Sequence, residues 1–159
     1  MGTMKYANIG PLDNRPGTLS EDLETLHDEL EWQLSRNEQN HADMLDTIRR
    51  AYDHALDECW DEFGNVICDD ARNLYHIEQL TYALQEFAPP YCVFCESADG
   101  YGYFPDWCAL EELPKVSCNG FQETGERPKS GEYVFVNDHG NTSLMSIDDG
   151  SETEIWSIV

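Results

Sequence analysis

Leucines set the rhythm of the first third of the chain. Leu19, Leu23, Leu26, Leu30 and Leu34 recur at gaps of three and four, which places them on one stripe of an α-helix. Thr18 and Glu21 stand at its start as a T-x-x-E capping box, where hydroxyl and carboxylate satisfy free backbone N–H groups. A second run, Leu45, Ile48, Tyr52, Leu56, Cys59 and Phe63, keeps the spacing and meets Gly64-Asn65, a C-terminal stop. Between the two, Ser35-Arg36-Asn37-Glu38-Gln39-Asn40 is polar without Gly or Pro, which fits either a turn between antiparallel helices or a polar stretch of one long helix. A third helix is predicted from Asp69 or Asp70 as cap through Leu74, Ile77, Leu80 or Thr81, Leu84 and Phe87, ended by Ala88-Pro89-Pro90.

After Pro90 the period shortens to that of strands. Tyr91–Cys95 and Tyr101–Phe104 are short aromatic runs parted by Asp99-Gly100, and Pro105-Asp106 can start a brief helix towards Leu113. Glu132–Val136, Thr142–Ile147 and Glu154–Val159 are β-branched or aromatic. They are separated by Asp138-His139-Gly140-Asn141 and Asp148-Asp149-Gly150-Ser151, clusters that tolerate positive φ, so a three-stranded antiparallel meander is expected. The fold class is therefore α+β: two or three acidic N-terminal helices followed by a small antiparallel sheet. Residues 1–18, rich in Gly, Pro and Asn (Gly10-Pro11, Asn14, Pro16-Gly17), read as an irregular arm. Residues 19–90 read as the helical region, and residues 91–159 as a β-rich region forming one compact domain with the helices.

Charge changes this picture most. Asp and Glu number 32 against 9 Lys and Arg, a formal net charge of −23 on 159 residues. Like charge in such excess repels itself and weakens the compact state. Disorder does not explain it, because 40% hydrophobic and 11% aromatic residues supply a core. The chain would be repelled by anionic membranes and by nucleic acid itself. No apolar h-region opens it and no run reaches membrane-spanning length, so a cytoplasmic protein is expected.

The acid is ordered. Glu21, Glu24, Asp28 and Glu31 follow gaps of three, four and three opposite the leucine stripe. On the second helix Asp43 and Asp46 begin a row that Arg50 interrupts and Asp53, Asp57 and Asp61 continue. Neighbours on such a row stand about 5–6 Å apart, comparable with successive phosphates along a nucleic-acid strand. Like charges at i,i+4 cost a few tenths of a kcal/mol per pair, a cost that docking into a basic groove would offset. A solvated helix face is the plain alternative for any one row, and two rows on a chain of this charge exceed what solubility requires.

Six cysteines bear on metal and redox chemistry. Cys92-Val93-Phe94-Cys95 is a C-x-x-C, with Cys108 and Cys118 downstream, and these four are the candidate zinc ligands. Against that reading, Val93 and Phe94 are strand residues, which would send Cys92 and Cys95 to opposite faces. Buried structural thiols are the expectation, with no cofactor. His27, His41, His54, His76 and His139 are scattered; His54 with Asp57 and Glu58 offers ligand chemistry on one helix, and His139 falls in a turn. No nucleophile elbow, P-loop, dinucleotide fingerprint or H-E-x-x-H occurs, and the chain is not expected to be an enzyme.

Pro89-Pro90-Tyr91-Cys92, the run Gly100-Tyr101-Gly102-Tyr103-Phe104-Pro105-Asp106-Trp107, Val136-Asn137-Asp138-His139-Gly140-Asn141 and the ending Glu154-Ile155-Trp156-Ser157-Ile158-Val159 carry a resemblance. The C-terminal half resembles a family of small uncharacterised proteins encoded by bacteriophages and mobile elements. That resemblance implies a phage or plasmid accessory gene and assigns no chemistry. The acidic helices are similar in character, though not in alignable sequence, to DNA-mimic inhibitors of restriction or CRISPR enzymes. The expected function is therefore inhibition of a nucleic-acid-binding host defence enzyme. Its partner would be a basic nucleic-acid-binding protein or ribonucleoprotein complex whose groove the carboxylates occupy. The alternative is an interaction or antitoxin-like module that binds through the apolar helix faces, with a homodimer as one form and zinc as a further stabiliser.

Overall fold

A computed structural model describes residues 4–12, 17–39 and 42–159. Asn14, Pro16, Asn40 and His41, named above, lie outside the described residues. The class is α+β: three N-terminal helices followed by two sheets, of three and five strands. The chain divides into two compact units, Met1–Phe104 and Pro105–Val159.

The first unit holds helices α1 (Leu19–Arg36), α2 (Ala42–Cys59) and α3 (Asp70–Gln85), with a sheet of order β1 (Gly10–Pro11), β3 (Gly100–Pro105), β2 (Cys92–Ser97). Thr18 caps α1 by accepting the Glu21 amide at 3.3 Å, and Leu23, Leu26, Leu30 and Leu34 are all buried. The polar segment after Ser35 is a turn: α1 ends on Asn37 and α2 is a separate helix. The helices run antiparallel, since His27 meets Tyr52 and Trp60 while Glu38 borders the same groove as Arg49. Asp69 is the cap of α3, accepting the Arg72 amide at 3.1 Å.

Three apolar positions of the predicted stripes, Leu56, Phe63 and Leu74, face water instead. On α2 the interior takes Leu45, Ile48, Ala55 and Cys59, leaving Leu56 outside. On α3 it takes Asn73, His76, Ile77, Leu80, Ala83 and Leu84, and Leu74 is 53% exposed. Phe63 lies past the end of α2, in a turn where Asp61 Oδ1 accepts the Phe63 and Asn65 amides beneath a Trp60–Val66 bridge. That turn ends the helix at Cys59, ahead of Gly64-Asn65.

The arm is strapped down where it is described. The Ala7 amide donates to the Phe87 carbonyl and the Leu12 amide to the Tyr101 carbonyl, both at 2.8 Å. Pro11 pairs with Gly102, where a Cβ would run into the Gly10 carbonyl and the Pro11 Cα. Glycine is what lets the arm lie against β3. At the last position of α3, the Gln85 side chain acts as a short piece of strand: its Nε2 donates to the Cys92 carbonyl at 3.1 Å and its Oε1 accepts the Phe94 amide at 2.8 Å.

The second unit begins with α4 (Trp107–Leu110), capped by Asp106, which accepts the Ala109 amide. Its five-stranded sheet has the order β5 (Gln122–Thr124), β4 (Lys115–Asn119), β6 (Gly131–Val136), β7 (Thr142–Asp148), β8 (Ser151–Ile158). The expected meander is β6-β7-β8, antiparallel throughout, with Asp149-Gly150 as a two-residue turn in which both residues have positive φ. The β4–β5 hairpin and the parallel β4–β6 pairing extend the sheet beyond that meander. Val116, Tyr133, Val134, Leu144 and Trp156 form the buried positions of the sheet, and Leu110 those of α4.

Candidate functional site

Helix periodicity carries the leucines inward and the carboxylates outward. Glu21, Glu24, Asp28 and Glu31 on α1, and Asp43, Asp46, Asp53 and Asp57 on α2, are all exposed, and none of them forms an ion pair with a described residue. Asp61 is exposed too, but it stands beyond the end of α2 and its carboxylate closes the turn described above. Eight of the nine predicted residues thus form helical rows, and the ninth shapes the chain.

The two rows converge beside Tyr52. Glu31, Glu38, Arg49, Tyr52 and Asp53 border a groove between α1 and α2. Burial, followed by the neighbouring Glu31, Asp53 and Asp28 carboxylates, pushes the Tyr52 phenol above its ordinary value, and Tyr52 is also hydrogen-bonded to Glu31. Beneath it, His27 stacks on the Tyr52 ring at 4.0 Å with planes 9° apart, and its Nε2 lies 3.2 Å from the Tyr52 carbonyl. Burial holds the His27 imidazole below its ordinary value despite the acid around it, so it adds no positive charge to the groove at neutral pH.

In the second unit one pair of carboxylates is neutralised. Arg127 binds Glu123 through two nitrogens at 2.6 and 2.8 Å, reaches Glu152 through Nε at 3.3 Å, and lies over the Phe135 ring. Tyr133, buried, also hydrogen-bonds Glu152. There Glu123 and Glu152 share one guanidinium, bidentate towards Glu123. Glu111, Glu112, Glu126, Asp148, Asp149 and Glu154 are exposed without an ion pair among the described residues, as are the helical rows on α1 and α2.

Of the six cysteines Cys59 and Cys92 are buried, while Cys68, Cys95, Cys108 and Cys118 are partly or fully exposed, against the expectation of buried thiols, and Cys92 and Cys95 part as a strand requires. Cys92 is buried in β2 with Phe94, while Val93 and Cys95 alternate to the other face. Cys108 is exposed on α4 and Cys118, on β4, donates to the Gly120 carbonyl. Metal-ligating atoms converge elsewhere among the described residues: one ligand atom each of His54, Glu58 and His76 lies within 4.8 Å of the others. Helical i,i+4 spacing aligns His54 with Glu58, and antiparallel α3 brings His76 to them. Counting ligands along the sequence finds His54 and Glu58; only helix pairing supplies His76. His139 sits exposed in its turn, where Asn137 Oδ1 accepts both the His139 and Asn141 amides.

One apolar surface remains uncovered. The leucine stripe of α1 is spent on the interior, but Leu74, Tyr75 and Tyr82 on the outer face of α3 are exposed, bordering a shallow depression with Ala71 and Tyr101. Among the described residues no helix is long and apolar enough to cross a membrane. A scan against protein-family models and searches of curated proteins and of solved structures give no match.

Proposed function

We propose that the protein is a phage- or plasmid-encoded inhibitor of a nucleic-acid-binding host defence enzyme of restriction or CRISPR type. It acts as an acidic mimic whose helix carboxylates occupy a groove built for phosphates. The observation that carries this reading is the pair of open rows on α1 and α2: eight exposed carboxylates without an ion-pairing partner among the described residues, meeting at Tyr52. Lys and Arg side chains that ordinarily meet phosphates would meet these carboxylates, with encounter accelerated by the long-range field of the chain. The mobile-element setting rests on the resemblance of the C-terminal half.

A second reading draws on the α3 surface. Leu74, Tyr75 and Tyr82 would anchor an apolar interface, the enrichment in aromatic residues being that of binding hot spots. Salt separates the two. Capture of partners from nuclease-treated bacterial lysate, eluted along a salt gradient, is expected to release a nucleic-acid-binding complex at moderate salt and on addition of DNA or RNA. Partners that ignore both salt and competing nucleic acid would replace the mimic by the apolar module.

A further inference from the structure

Glu58 sits between two imidazoles. Its Oε1 lies 2.9 Å from His54 Nε2 and its Oε2 lies 2.7 Å from His76 Nε2, with the two rings 5.0 Å apart at 75°. The pattern is H-x-x-x-E on α2 completed by one histidine of α3, so the three donors come from two helices that are already packed together. His54 and Glu58 are about half exposed and His76 is fully buried, which leaves an approach from solvent and a fixed floor. The nearest cationic side chain is otherwise occupied, since Arg72 binds the Glu58 carbonyl and the Asp69 carboxylate.

Two neutral imidazoles and one carboxylate are a zinc-type donor set that leaves a fourth position for water. Tetrahedral ligand bonds of about 2.0–2.1 Å set their donors about 3.3 Å apart. The two His–Glu contacts, to different Glu58 oxygens, open by a few tenths of an ångström, while the three ligand atoms, now within 4.8 Å of one another, draw in to that spacing as the half-exposed His54 and Glu58 turn. Without an ion each imidazole donates its Nε2–H to Glu58, and with one that proton moves to Nδ1. His76 Nδ1 is buried without a hydrogen-bond partner, so it is equally unmet in either tautomer. The surrounding charge of −23 concentrates cations at the entrance.

We propose that His54, Glu58 and His76 bind one divalent transition-metal ion of zinc type, clasping the C-terminal half of α2 to α3. The site is independent of the partner-binding reading and its donor set includes no cysteine. Cobalt(II) is the probe, added to full-length protein stripped with chelator. The expected result is one equivalent bound with the intense visible bands of tetrahedral cobalt and no sulfur-to-metal charge-transfer band. Zinc should raise the thermal midpoint. His54→Gln and Glu58→Gln, changes at exposed positions that leave the buried floor intact, should each weaken binding by about 10–100-fold or more and abolish the zinc-induced shift. Glu62→Gln, at an exposed carboxylate outside the cluster, should leave both unchanged. A pale octahedral spectrum, a thiolate charge-transfer band, or undiminished affinity in both ligand variants would overturn the assignment, leaving a hydrogen-bonded His-Glu-His triad.

Discussion

Asn37 holds Lys5 by both of its backbone groups: the Lys5 amide donates to Asn37 Oδ1 at 2.7 Å, and Asn37 Nδ2 donates to the Lys5 carbonyl at 3.1 Å. The same Nδ2 also reaches the Gln33 carbonyl at 3.0 Å, so one fully buried amide finishes α1 and fastens the arm 32 residues earlier. Asn37→Ala removes these bonds and leaves buried backbone groups unmet, at a cost of about 2–3 kcal/mol. Amide exchange at Lys5 and Ala7 should accelerate well before the helices open, which hydrogen-exchange mass spectrometry resolves.

His27 gives the fold a pH dependence of known sign. Its imidazole is held below the ordinary value of 6.5 by burial, so the unfolded chain takes up its proton first as pH falls. The contribution of His27 to stability is complete above that ordinary value. It is lost as pH falls through it towards the lower folded value. The gap in thermal midpoint between the native chain and His27→Gln should therefore narrow from about pH 7.5 to about pH 5.5. Measuring the gap removes the general effect of protonating surface carboxylates, which both proteins share.

The thiols should sort by burial. Cys59 is fully buried and its pKa is pushed up to about 11 by burial, with the Glu58 charge adding to it. Cys68 and Cys108 are exposed. Brief treatment with iodoacetamide near neutral pH should alkylate Cys68 and Cys108 and spare Cys59, and peptide mass spectrometry after denaturation reads the pattern.

The acidic rows can be tested without damage to the interior. Asp46, Asp53 and Asp57 are exposed and unpaired among the described residues, so Lys at all three should shift stability by no more than about 0.5 kcal/mol each. Partner binding should fall steeply, and what remains should respond less to salt. Asp61 is left out of this variant because its carboxylate holds the turn after α2. Circular-dichroism melts and binding at two salt concentrations check the two halves of the prediction.

The elements legible in the sequence were those whose signal is local. Thr18 and Asp69 cap their helices by bonds to residues three positions away, and Asp149-Gly150 turns its hairpin by φ alone. The predicted α3 stripe is buried at Ile77, Leu80, Leu84 and Phe87, and the exposure of its remaining member, Leu74, has a different origin. Asn73 occupies an interior position because its Nδ2 donates to the Ile67 carbonyl, and His76 because Glu58 receives it. Counting apolar residues cannot register a polar side chain whose partner comes from elsewhere in the chain, so Leu74 was assigned the place that Asn73 holds. Strand β4 was invisible for the opposite reason: of Lys115–Asn119 only Val116 is buried, and its parallel partner β6 is set by the course of the chain between them. Eight of the nine acidic positions face solvent as helical spacing requires, Asp61 lies past the end of α2, and the His54-Glu58-His76 cluster needs the pairing of two helices.

Gln85, described above as a short piece of strand, also answers a hazard of open sheets. β2 is an outer strand of its sheet, and the Cys92 carbonyl and Phe94 amide that a foreign chain would seek are already taken by one side chain. The opposite border, β1, is two residues long and ends in Pro11, which has no N–H to offer. Neither margin can readily recruit another copy edge to edge, so the first unit should stay dispersed at the high concentrations reached during strong expression, and Gln85→Ala should be the change that first makes it polymerise.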